Sequence, residues 1–186
     1  MGTSSVEIDA PGLRSFRYAG YARRFSLAAS PPGMARADLH FFHDMYASAS
    51  TLRDLFWRFL RSFRGVRSLK LKVSDLKHLL VAFPNVEHLE LEGHHEPASE
   101  MAAAVAIGNL LRCCPAARHL TLRLATAPPR ERDSAMNGSG RSFACLKNSL
   151  RRFAIQFRMD QPNCIDVKLI KFFAENAIHL EEMRID

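Results

Sequence analysis

The sequence predicts an α/β solenoid of partial, irregular repeats, with parallel strands on a concave face and helices on the convex face. Three observations lead there. Six segments read apolar-x-x-apolar-x-apolar: Leu13–Tyr18, Val66–Leu71, Val86–Leu91, Ala117–Leu122, Leu150–Ile155 and Leu180–Ile185. Most of them follow an amphipathic helical stretch, so the apolar period switches repeatedly between helical and strand-like. Such self-similarity is the mark of stacked units that cannot bury their apolar faces alone.

The elements follow in order. Leu13, Phe16 and Tyr18 carry the first strand signal. Ala28–Gly33 (AASPPG) is a Pro-Gly break. Ala35, Ala37, Leu39 and Phe41 alternate as a further strand would. Leu52, Leu55, Phe56, Phe59, Leu60 and Phe63 fall on one face of a helix, with Thr51 and Asp54 placed to cap it. Val66, Leu69 and Leu71 return to strand spacing, and Leu76, Leu79, Leu80 and Phe83 to helical spacing. Pro84 ends that helix, and Val86, Leu89 and Leu91 repeat the strand. Met101–Leu111 reads as a helix stopped by Pro115, with the Leu120–Leu122 strand after it. Residues 127–142 hold Pro, Gly, Ser and mixed charge with almost no core former, which predicts a mobile insertion. Val167, Leu169, Ile170, Phe172 and Phe173 form an apolar helix face before the last strand. From 66 onward the copies begin 20, 31, 33 and 30 residues apart, so the units are irregular.

In the pattern, the last two apolar residues point to one side of the strand and the residue between them to the other. Outward positions therefore form the default recognition surface. The candidate protein-binding residues are Arg17, Lys70, Lys72, Glu90, Glu92, Thr121, Arg123, Arg152, Gln156, Glu182 and Arg184. Their charge runs from basic, through acidic, to mixed.

Composition bounds the function. With 186 residues, 47% hydrophobic and 24% charged, the chain can build one domain with a real core. No apolar run is long enough to span a bilayer, and Met1–Pro11 has no apolar signal core. Val6 stands where a myristoylation motif needs Ser or Thr. Cys113, Cys114, Cys145 and Cys164 contain no C-x-x-C pair, which predicts buried thiols in a reducing compartment, cytoplasmic or nuclear. The formal charge of +7 lies wholly in residues 1–77, with 13 Lys/Arg against 6 Asp/Glu; residues 78–186 hold 13 of each. A basic nucleic-acid module, resting on this excess and on Arg53, Arg58, Arg61 and Arg64, is the rival reading, without any zinc-finger, RNP-like or basic-zipper pattern. Trp57 and the same arginines would suit a membrane-surface anchor, but a solenoid wall explains that helix better. Phosphate-binding, dinucleotide, zincin and hydrolase-elbow motifs are absent, so no enzyme, cofactor or catalytic residue is expected. His40 with His43, and His94-His95-Glu96, lack further ligands at metal-binding spacing. The first pair is expected as surface or capping groups, the second in the loop leaving the Leu91 strand.

The segment GVRSLKLKVSDLKHLLVAFPNVEHLELEG resembles the leucine-rich repeats of plant F-box proteins. Val66, Leu69, Leu71 and Leu76 fit the template, with Ser74 where Asn or Cys is usual. The opening VEIDAPGLRSFRYAG is similar to another repeat of those proteins. The stretch from CLKNSLRRFAIQF to HLEEMRID looks like the FBD region that closes many of them. The resemblance implies irregular leucine-rich repeats over 1–144 and FBD-like repeats of the same solenoid over 145–186. It implies the target-binding half of a ubiquitin-ligase substrate receptor, with an unknown target protein as partner. No F-box helices precede the first repeat, so a Skp-type adaptor is not expected, and a truncated, non-functional copy is a further alternative.

Overall fold

The computed structural model describes residues 6–21, 25–27, 31, 33–42, 56, 58–73, 82–95, 108, 111–126, 144–158 and 164–186. The described elements are β1 (Val6–Ile8), β2 (Ser15–Gly20), β3 (Phe25–Leu27), β4 (Arg36–Phe41), β5 (Ser68–Val73), β6 (His88–His95), β7 (His119–Thr126), α1 (Ala144–Asn148), β8 (Arg152–Arg158), α2 (Cys164–Asn176) and β9 (Glu182–Ile185). Helical backbone also occurs at Phe56, 58–61, Gly108 and 111–113. The fold is α/β. Seven strands form one parallel sheet in the order β2-β4-β5-β6-β7-β8-β9, and β1 pairs with β3 in a separate parallel ribbon. That ribbon carries no trace of the sixfold pattern and is not anticipated by it.

Each strand of the large sheet starts in the same way. The chain turns back on itself with an i→i+3 backbone bond just ahead of the strand. Leu13 donates to Ala10 at 3.0 Å, Met34 to Pro31 at 3.1 Å, and Val66 to Phe63 at 3.3 Å. Val86 to Phe83, Ala117 to Cys114 and Leu180 to Ala177 repeat it, while Leu150 reaches back further, to Cys145. Two consecutive amides then share one carbonyl of the preceding strand's start. Arg67 and Ser68 both donate to Ala35, Glu87 and His88 to Arg67, Arg118 and His119 to Glu87, and Arg151 and Arg152 to Arg118. These bonds satisfy backbone groups that a buried turn would otherwise leave orphaned.

Register converts the sequence pattern into apolar columns. Phe16, Ala37, Leu69, Leu89, Leu120, Phe153 and Met183 are neighbours across the sheet, as are Tyr18, Leu39, Leu71, Leu91, Leu122, Ile155 and Ile185. From β4 to β8 every member is buried. Full burial of such a side chain stabilises by about 1.5–3 kcal/mol, which favours this register over a one-residue slip. Phe59, Leu60 and Phe63 cover the columns at one end, and Leu169 and Phe173 at the other. Phe153 stacks on Phe173 with ring centroids 4.0 Å apart.

The expected strand at residues 35–41 is β4. Its pattern, Met34-x-x-Ala37-x-Leu39, makes a seventh copy, disguised by Met and Ala in place of Leu. Three readings need correction. His94 and His95 belong to β6, not to a loop after it, because β6 and β7 stay paired as far as His95 and Thr126. Val167 does not join the apolar face of α2. It is 67% exposed, since it lies two residues from Leu169 and so on the far side of a helix whose buried stripe is Leu169 and Phe173. The 51–63 helix gives way to a turn after residue 61, where Phe63 is buried without being helical. The predictions for Leu52, Leu55, Trp57, Leu76, Leu79, Leu80, most of Met101–Leu111 and the 127–142 insertion lie outside the described residues.

Candidate functional site

The outward side chains of the large sheet form three rows that cross the strands. The row at the strand starts is Ser15, Arg36, Ser68, His88, His119, Arg152 and Glu182. The middle row is Arg17, Asp38, Lys70, Glu90, Thr121, Ala154 and Arg184. The third holds Ala19, His40, Lys72, Glu92, Arg123 and Gln156. All eleven sequence-predicted residues stand in these rows. They do not share one row, because Arg152 and Glu182 belong with the strand starts and Gln156 with the third row.

The face is not a run of basic, then acidic charge. Opposite charges meet across neighbouring strands. Arg17 lies 3.2 Å from Asp38, Lys70 2.8 Å from Glu90, and Lys72 2.7 Å from Glu92. Arg123 reaches the same Glu90 oxygen at 2.9 Å, and Arg152 approaches Glu182 at 3.4 Å. Arg184 pairs along its own strand with Asp186 at 2.8 Å, and that contact raises its already high pKa. Cross-strand pairs of this kind stabilise by a few tenths of a kcal/mol to about 1 kcal/mol each. Their main effect is geometric. They hold long side chains in fixed places across the sheet. The Nε of Arg123 is buried and has no hydrogen-bond partner among the described residues.

Four participants are absent from the sequence-predicted set. Asp38 supplies the counter-charge for Arg17. Ala154 leaves a low spot in the middle row, beside Thr121 and Arg184. His88 and His119 meet with Nδ1 atoms 2.7 Å apart and ring centroids at 4.3 Å. In that contact one ring nitrogen donates and the other accepts. Burial, then His88, Arg152 and Arg118, hold the His119 pKa below its ordinary value, with Glu181 opposing. The signal was available: both histidines stand two residues after the first apolar position of adjacent copies.

Among the described residues, no three His, Cys, Asp or Glu side chains converge to hold a metal ion. His40 faces outward from β4 against Phe42, and His43 lies outside the described residues. Cys113, Cys114 and Cys145 are free thiols, and burial raises the pKa of all three, with Cys145 pushed up to about 11. Such thiols are poor nucleophiles at neutral pH. Among the described residues no helix is long and apolar enough to cross a membrane. Comparisons with protein-family models, with curated proteins and with solved structures returned no match.

Proposed function

We propose that this chain is a leucine-rich-repeat solenoid whose polar sheet face recognises another protein, in the manner of the target-binding half of an F-box receptor. The observation that carries the reading is the shared register of seven pattern copies, which lines up three rows of outward polar side chains. A wide, ordered polar surface on a rigid sheet suits capture of a protein through many modest contacts. The FBD-like stretch over 145–186 contributes β8 and β9 to the same sheet, as expected for closing repeats of one scaffold. A cytoplasmic or nuclear setting fits the free, unpaired thiols.

The test is affinity capture from a plant cell extract, read by mass spectrometry. Three samples are compared: the chain, a Lys70→Gln/Lys72→Gln variant, and the chain fused to an F-box segment. Glutamine is preferable to glutamate, because a carboxylate at 70 or 72 would face Glu90 or Glu92 across the strand. The same target proteins should appear with the chain and the fusion, at several-fold lower yield with the variant, and a Skp-type adaptor with the fusion only. Recovery of nucleic acid instead of specific proteins would contradict the reading.

A further inference from the structure

The ion pairs neutralise most of the face, but not its edge. Immediately before or at the first residue of four strands stand Arg14, Arg36, Arg67 and Arg118. All four are exposed, and none has an ion pair among the described residues. Their equivalents at the next strand, Arg151 and Arg152, are both engaged, with Glu181 at 3.3 Å and Glu182 at 3.4 Å. Four uncommitted cations therefore line one rim, from β2 to β7. The recurring turn puts them there: its backbone carbonyls at Arg14, Arg67 and Arg118 each accept two amides, which fixes the rim residues in a row.

Beside the rim lies an open depression of about 560 Å³. Met34, Pro84 and Ala116 contribute apolar lining, and Arg67, Asn85 and Glu87 polar lining. An apolar group could enter while a neighbouring carboxylate reached Arg67.

We infer that this rim docks an extended acidic segment of a partner protein, with carboxylates on Arg14, Arg36, Arg67 and Arg118 and one apolar side chain in the depression. The inference rests on the reading of the chain as a protein-recognition scaffold and adds the partner's chemistry. Four strand steps at about 4.8 Å separate β2 from β7, roughly 19 Å, a length that about six extended residues span. Guanidinium groups hold carboxylates by paired, charge-assisted hydrogen bonds. Two observations favour a peptide over nucleic acid. Glu87 interrupts the arginines between Arg67 and Arg118 and lines the depression, so the uncharged residue of a peptide can pass it, whereas a phosphate backbone carries charge at every step. Among the described residues, the exposed large hydrophobic aromatics, Tyr21 and Phe42, lie at the opposite ends of β2 and β4 from the rim.

The experiment is fluorescence anisotropy with a labelled twelve-residue peptide of glutamates around one central leucine, beside a single-stranded DNA of twelve nucleotides. Two variants of equal charge are compared with the parent chain. One is Arg36→Ser/Arg67→Ser/Arg118→Ser. The other, Arg58→Ser/Arg61→Ser/Lys147→Ser, removes three exposed cations elsewhere. Circular dichroism confirms that both fold. The peptide should bind the parent more tightly than the DNA, and the rim variant should weaken it about tenfold, the helix variant much less. No peptide binding, equal losses in the two variants, or tighter binding of the DNA would each overturn the inference. The two levels fail separately: targets captured through Lys70 and Lys72 but indifferent to the rim variant would leave the scaffold reading standing without the acidic rim.

Discussion

His119 shows how position in the apolar pattern sets the chemistry of one residue. It occupies the second place after the first apolar residue of its copy, as His88 does in the copy before, and parallel register brings the rings together. The folded chain takes up a proton at His119 less readily than the unfolded chain, because burial and the neighbouring His88, Arg152 and Arg118 oppose it. Its contribution to stability is therefore full above the ordinary imidazole value of 6.5 and is lost as pH falls through the lowered folded value. Urea unfolding from about pH 7 down to about pH 5 should show a falling midpoint, and His119→Asn should flatten that fall. Equal pH dependence in the variant would assign the effect to other groups.

At the scale of elements, legibility follows burial. Strands β5, β6 and β7 could be read because Leu stands at both inward positions and Val or Ala ahead of them, all buried. β4 was legible as a strand but not as a copy of the sequence pattern, since Met34 and Ala37 meet the packing need without looking like it. The polar face was legible as eleven outward residues. Its pairing was not, because register across strands decides that Lys70 meets Glu90 and Arg17 meets Asp38. Helix α2 makes the point sharply. Sequence spacing admits Val167 to the apolar face, whereas the helix turns it outward. Leu169→Asp should thus destabilise by about 3–5 kcal/mol through an unpaired buried charge, and Val167→Asp by less than about 0.5 kcal/mol. Chemical denaturation of the two variants checks this, and similar losses in both would contradict the assigned face of α2.

For the whole molecule, the apolar columns and the polar rows are two consequences of one register. The columns bind each strand to its neighbours, so the sheet is rigid where it is also displayed. On the proposed reading, rigid display lowers the ordering cost of binding. Site-specific photo-crosslinking tests this division of labour directly. A benzophenone amino acid is placed at Thr121 or Gln156 on the polar face, and at Val167 or Ile178 on the exposed helical side, and each chain is irradiated in extract. Specific protein adducts from Thr121 and Gln156, with none from Val167 and Ile178, are the expected result. Adducts from the helical side alone would contradict recognition through the sheet.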